Sequence, residues 1–220
     1  MKFLDVPQSG SIADRTHSHN RAGQYTRNRR APVQPIGNGR RAEIRAAFGT
    51  ASAAWSALTE AQRNSWTSFA NDHPFTDALG QAIKLTGHQM FVAVYTTSVN
   101  AGLGAVTVPP ADLAVLDIST TTVTVSVSSG ITLSALGGDG TGRVLVALSP
   151  SMSPGRSFTS QFNQLGVAED DDAAFNITTA VYAAEFGTPV TGQAVFIRLR
   201  AVNADGWYGP EAIFKGIWGT

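Results

Sequence analysis

Apolar residues in the first half of the chain recur at helical steps. Ile44, Phe48, Ala51, Trp55 and Leu58 fall three or four apart and form one stripe, as a helix with a single buried face requires. Thr59 then offers an N-cap, and Gln62, three positions on, can close a capping box with it. Trp66, Phe69 and Ala70 continue the apolar face of this second helix until Asp72-His73-Pro74 ends it. Thr86 and Gln89 repeat the box, with Leu85 and Met90 placed as a hydrophobic staple. The third helix runs from about Gly87 through Phe91, Val94 and Tyr95 to a glycine stop at Gly102. Trp55 and Trp66 are the expected core anchors of this helical group.

After Val106-Thr107-Val108-Pro109-Pro110 the period changes to two. Thr121 to Ser128 alternates polar and apolar, and Arg143–Leu148 and Val195–Val202 read as further strands. Gly137-Gly138-Asp139-Gly140 and Asp205-Gly206 are turn material. Strands separated by turns, with no helical pattern between them, predict an all-β sandwich. The resulting fold class is α+β in two domains. An extended basic arm (1–39) precedes a three-helix domain (40–105), a linker (106–110) and a β-sandwich (111–220).

The arm follows neither period. It is rich in Ser, Gly, Asn and Arg, and Pro32 and Pro35 favour extended, polyproline-like backbone. Such a segment buries too little apolar surface to offset its own ordering entropy, so it is expected to gain order on a partner. Charge marks the same segment. Residues 1–45 carry nine basic and three acidic groups, a net +6, and the rest of the chain carries −6. A basic head on an acidic body points to an anionic partner, or to head-to-body attraction between copies. Arg15, Arg21, Arg27, Arg29 and Arg30, with Tyr25, Val33 and Ile36 as its apolar contacts, are the candidate partner-binding residues. Tyr25 among arginines could also stack on bases while the guanidinium groups meet phosphate. Assembly is the preferred reading, and nucleic acid is the alternative. Residues 46–105 hold only Arg63 and Lys84 as bases, too few to neutralise a phosphate backbone.

Candidate chemistry beyond this is thin. His17 and His19 could pinch a metal if the arm were a strand, but Asp14 is the only acidic neighbour. Glu169-Asp170-Asp171-Asp172 has the carboxylates a calcium ion needs without glycine-spaced ligand positions, and reads as a solvated acidic loop. Gly137 to Gly142 lacks the lysine and helix of a phosphate loop and reads as a hairpin turn. No serine sits in a nucleophile elbow, all four histidines lie in the first 88 residues, and there is no cysteine. The expectation is a non-enzymatic protein with no catalytic residues, cofactor, metal or small-molecule substrate. Asp5 interrupts the first apolar residues and no run reaches the roughly 18 needed to span a bilayer. Neither a signal peptide nor a membrane partner is expected.

Two resemblances add context. The segments Pro109-Pro110-Ala111-Asp112-Leu113, Thr121–Val127 and Val195 to Pro210 resemble a fibronectin type III domain. Against that pattern, Val127 stands where a core tryptophan is expected, and the corner tyrosine falls at Val195 or Phe196. The N-terminal half is similar to small uncharacterised structural proteins of tailed phages and prophages. The residues concerned are Ser18-His19-Asn20-Arg21-Ala22-Gly23-Gln24-Tyr25-Thr26-Arg27-Asn28-Arg29, Pro32-Val33-Gln34-Pro35, the Trp55, Leu58-Thr59, Gln62-Arg63 and Trp66 spacing, and Leu85-Thr86-Gly87. This resemblance implies a virion component made in the host cytoplasm. Capsid decoration is the first location expected, with neck or tail next, and other virion proteins and copies of the chain as partners. A carbohydrate- or cell-surface-binding module, with Trp207 and Tyr208 as a stacking pair, is a further alternative.

Overall fold

A computed structural model describes residues 10–12, 15–20, 23–28, 40–76, 81–134 and 136–219. The chain divides into two compact units, Met1–Ala46 and Ala47–Thr220. In the first unit, strands β1 (Gly10–Ile12), β2 (Arg15–Asn20) and β3 (Gly23–Asn28) form an antiparallel sheet in that order. Here paired strands replace the unpaired extended arm expected from the sequence. Only two residues separate β2 from β3, which suits a tight hairpin. The alternation that usually betrays a strand is missing because the sheet has no apolar face to bury. Of the residues candidate for partner binding, Arg15, Tyr25 and Arg27 lie in this sheet, while Arg21, Arg29, Arg30, Val33 and Ile36 lie outside the described residues.

Helix α1 (Arg40–Ala57) leads into the second unit, followed by α2 (Glu60–Asp72) and α3 (Gly87–Asn100). Both expected capping boxes are present. Thr59 N donates to Gln62 Oε1 at 2.9 Å while Gln62 N donates to Thr59 Oγ1, and Thr86 and Gln89 repeat the exchange. Between α2 and α3 lies a short antiparallel pair, β4 (Phe75–Thr76) and β5 (Ala82–Ile83). Trp66, Met90, Phe91 and Val94 are fully buried in the helical core, with Ala51, Leu58, Ala70 and Tyr95 around them. Phe91 meets Trp55 and Trp66 at ring separations of 5.5 and 5.3 Å. Gly87 is needed where α3 crosses α2, since a Cβ there would lie 2.8 Å from the Thr67 backbone nitrogen. Past α3, Gly102 takes the left-handed conformation (φ 74°) that closes a helix.

The remaining chain is β-sandwich-like. Its strands are β6 (Thr122–Ser126), β7 (Gly130–Ser134), β8 (Arg143–Leu148), β9 (Asn163–Glu169), β10 (Ala174–Ile177), β11 (Ala194–Val202) and β12 (Tyr208–Ile217). One antiparallel sheet has the order β10-β7-β6 and the other β12-β11-β8-β9. Ile131 and Leu133 from the first sheet meet Val144, Val146, Leu148, Val195, Ile197 and Leu199 from the second in one buried cluster. Each such aliphatic side chain contributes about 1.5–3 kcal/mol on full burial.

Helix α4 (Thr179–Phe186), capped by Thr178, joins β10 to β11. It delivers Tyr182 to this core, and Trp218 arrives from beyond β12. Both are fully buried, with ring centroids 4.9 Å apart, edge to face. Tyr182 OH donates to Ser149 O at 3.0 Å and takes a hydrogen bond from Ser151 Oγ. Neither Val127 nor Val195 brings a large aromatic to this core; Tyr182 and Trp218 do so from other points of the chain.

Candidate functional site

Neither hydrophobic cluster among the described residues includes any part of β1–β3; both draw their members from residues 51–218. The sheet contains a single aromatic, Tyr25, which is 46% exposed. Register sets Ser18 opposite Tyr25 and Thr16 opposite Arg27, so Tyr25 and Arg27 share one face. On the other face His17 lies opposite Thr26, and its Nδ1 is 3.1 Å from Thr26 Oγ1. Arg15 pairs with Asn28 at the open end of the hairpin. The arrangement is a narrow polar ribbon with exposed arginines and one exposed ring. Such a sheet has little stability of its own without an apolar face or a partner.

His17 and His19 occupy alternate positions on β2. Among the described residues, no three His, Cys, Asp or Glu side chains come close enough together to hold a metal ion. The helices carry no span long and apolar enough to cross a membrane, again among the described residues.

The acidic run differs from its sequence reading. Asp170 is only 7% exposed, and its carboxylate accepts the N–H groups of Gly140 at 2.9 Å and Gly142 at 3.2 Å. Gly138 N adds a bond to Asp170 O. The glycine-rich segment is no hairpin turn, because β7 and β8 belong to different sheets. It crosses between them, and the buried carboxylate fixes the crossing. The glycines are required there, since a Cβ on Gly138 would lie 2.4 Å from the Asp170 carboxylate. Exposed Glu169 pairs instead with Arg143 at 3.2 Å.

A cleft of about 440 Å³ opens at this end of the sandwich, lined by Asp112, Asp139, Asp170 and Asp205 among others. Each of these carboxylates already accepts a backbone N–H. Asp205 accepts from Ala111 N, Asp112 from Ala114 N, and Asp139 from the N–H and hydroxyl of Thr141. The Thr141 bonds hold the Asp139 carboxyl below its ordinary range. No match was found to any family model, any curated protein or any solved structure. Function therefore rests on the geometry of the chain itself.

Trp207 and Tyr208, the stacking pair of the carbohydrate-binding alternative, are half-buried packing groups. Trp207 sits in the turn after β11 and meets Phe69 and Phe75 of the helical part at 5.6 and 5.9 Å. Tyr208 stacks on Phe75 and carries the Arg200 guanidinium 4.8 Å from its ring centre. Burial pushes the Tyr208 phenol up, with the Arg200 charge opposing. Sequence reasoning found both residues but not their partner, because Phe75 lies more than a hundred residues away. It missed Tyr182 and α4, although Thr178 and Gly187 bracket that helix as a cap and a stop.

Proposed function

We propose that the chain is a non-enzymatic structural protein of a phage virion, a capsid decoration or accessory protein held by its N-terminal segment. Neck or tail is the next location. The observation that carries this reading is the β1–β3 sheet. It is ordered as strands, lacks a hydrophobic face, and exposes Tyr25 and Arg27 together. A sheet of this kind is suited to burial against a neighbouring chain, where ordering entropy is offset by contact area. The +6 charge of residues 1–45 against −6 elsewhere favours partners with acidic surfaces, copies of this chain among them. The sandwich is then the outward or bridging body. Its three-strand and four-strand sheets, β10-β7-β6 and β12-β11-β8-β9, support a divergent fibronectin type III reading.

Mass spectrometry of purified particles of the encoding phage or prophage tests the proposal. The chain should be a stoichiometric component, and its absence from intact particles refutes the reading. A second reading, nucleic-acid binding, is favoured by one observation: an exposed ring beside an exposed arginine on the edge strand of a three-stranded ribbon. Tight, sequence-selective duplex binding at physiological salt would make it the better account.

A further inference from the structure

Strand β12 is ten residues long and ends its sheet, with β11 on one side; on the other, among the described residues, only Gly219 just past its end bridges Ser126 of β6, and no strand pairs with Tyr208–Ile217. Neighbouring residues in a strand direct their N–H and C=O groups to opposite edges. Trp218 N donates to Gln193 O on the β11 side, and Gly219 N donates to Val125 O on the outer side. Pairing with β11 runs from Ile217 to Glu211 without a register shift. The backbone groups of Glu211, Ile213, Lys215 and Ile217 therefore point away from β11. Their side chains share the outer face and are exposed, Ile213 at 57% and Ile217 at 45%. Beside them Phe158, 69% exposed, lines a cleft of about 330 Å³ with Ile213, Lys215 and the buried Phe196. A long strand edge flanked by exposed aliphatic and aromatic groups is a template for another strand.

We infer that β12 pairs edge to edge with β12 of a second copy, antiparallel, about a two-fold axis at Ile213. The charges on the strand select this register. With the axis at Ile213, Glu211 of each copy lies opposite Lys215 of the other, and Ile213 meets Ile213. Moving the axis by one residue either way sets both charges opposite aliphatic or glycine positions. Moving it by two sets Glu211 against Glu211 or Lys215 against Lys215. Both groups are held on the outer face, Glu211 by Arg198 and Arg200, and Lys215 by its bond to Pro154 O. The contact is isologous, so it closes as a dimer. It is independent of the virion reading, since neither β1–β3 nor any particle protein takes part.

The chain contains no cysteine, so Ile213→Cys introduces a single thiol on the proposed axis. Opposed hydrogen-bonded positions place Cα atoms about 5.5 Å apart, within disulfide reach. Mild oxidation should give a covalent dimer, and Ala53→Cys, exposed on α1, should not. In sedimentation equilibrium the unaltered chain should dimerise reversibly. Lys215→Glu should weaken the dimer on the order of tenfold or more, because each reversal enters the interface twice. Circular dichroism checks that each variant is folded. The inference is overturned by a monomeric parent chain, by an Ile213→Cys chain that cross-links no faster than the Ala53→Cys chain, or by a Lys215→Glu chain that dimerises as tightly as the parent.

Discussion

Replacing Trp207 by alanine tests how the two hydrophobic cores of Ala47–Thr220 are joined. The indole lies within 5.6–5.9 Å of the Phe69, Phe75 and Tyr208 rings and packs against the helical cluster. The turn that carries it is held by other groups. Trp207 N donates to Asn203 Oδ1, and Asn203 N donates to Trp207 O, both at 2.9 Å. The variant thus removes the ring and leaves the turn. Truncating a fully buried tryptophan costs about 3–5 kcal/mol. Trp207 is half-buried, so about 2 kcal/mol is expected, including its edge-to-face contact with Phe69. That corresponds to about a 30-fold increase in opening of the helical part. Native-state hydrogen exchange resolves the two cores. Amides of α2 and α3 should lose about 2 kcal/mol of protection, while those of β8 and β11 change by less than about 0.5 kcal/mol. Unchanged helical protection would refute the coupling, and an equal loss in both parts would mean that the cores unfold as one.

The sandwich core draws every buried residue from between Ile118 and Trp218, so a fragment of residues 108–220 should fold alone and give a β-type circular dichroism spectrum; an unstructured or helical fragment would sink this. Burial raises the Tyr182 phenol above its ordinary value of 10.0, with the Ser151 bond opposing. The stability it contributes is full below pH 10 and is lost as pH rises through the raised value, and Tyr182→Phe should flatten that alkaline fall in unfolding titrations while costing about 1–2 kcal/mol at neutral pH. Asp170→Ala strands the N–H groups of Gly140 and Gly142 and should cost about 3 kcal/mol in urea unfolding, and a loss under about 0.5 kcal/mol would contradict the bracing role. Deleting residues 1–39 should abolish incorporation into particles and leave the sandwich folded. Within that segment Tyr25→Ala should reduce incorporation more than Arg27→Ala, since an exposed ion pair contributes only about 0–1 kcal/mol. Any duplex binding should fall steeply with salt, and a flat salt dependence would exclude phosphate contact by the arginines.

The chain by itself determined what is local. The capping boxes at Thr59 and Thr86, the helices they start, the stop at Gly102 and the strand at Arg143–Leu148 all follow from residues within one or two turns of each other. The change of period after Pro110 likewise marks where the three-helix group ends and the sandwich begins. Of the candidate partner-binding residues, Arg15, Tyr25 and Arg27 were found through charge and composition, yet their strands were not. A strand announces itself by an apolar face, and β1–β3 carry too few apolar residues to form one. Tertiary structure decided the rest, through pairs far apart in sequence. Tyr182 and Trp218 complete a core whose tryptophan and corner tyrosine the fibronectin type III resemblance had placed at Val127 and at Val195 or Phe196. Asp170 looked like solvent-facing charge because its neighbours are, and became a buried brace because Gly140 and Gly142, some thirty residues earlier, turn their N–H groups toward it. Trp207 found its partners on α2 and β4 by the same route. Local pattern fixes which element a residue joins, but a side chain's role depends on what the fold brings opposite it, and that is a property of the three-dimensional packing alone.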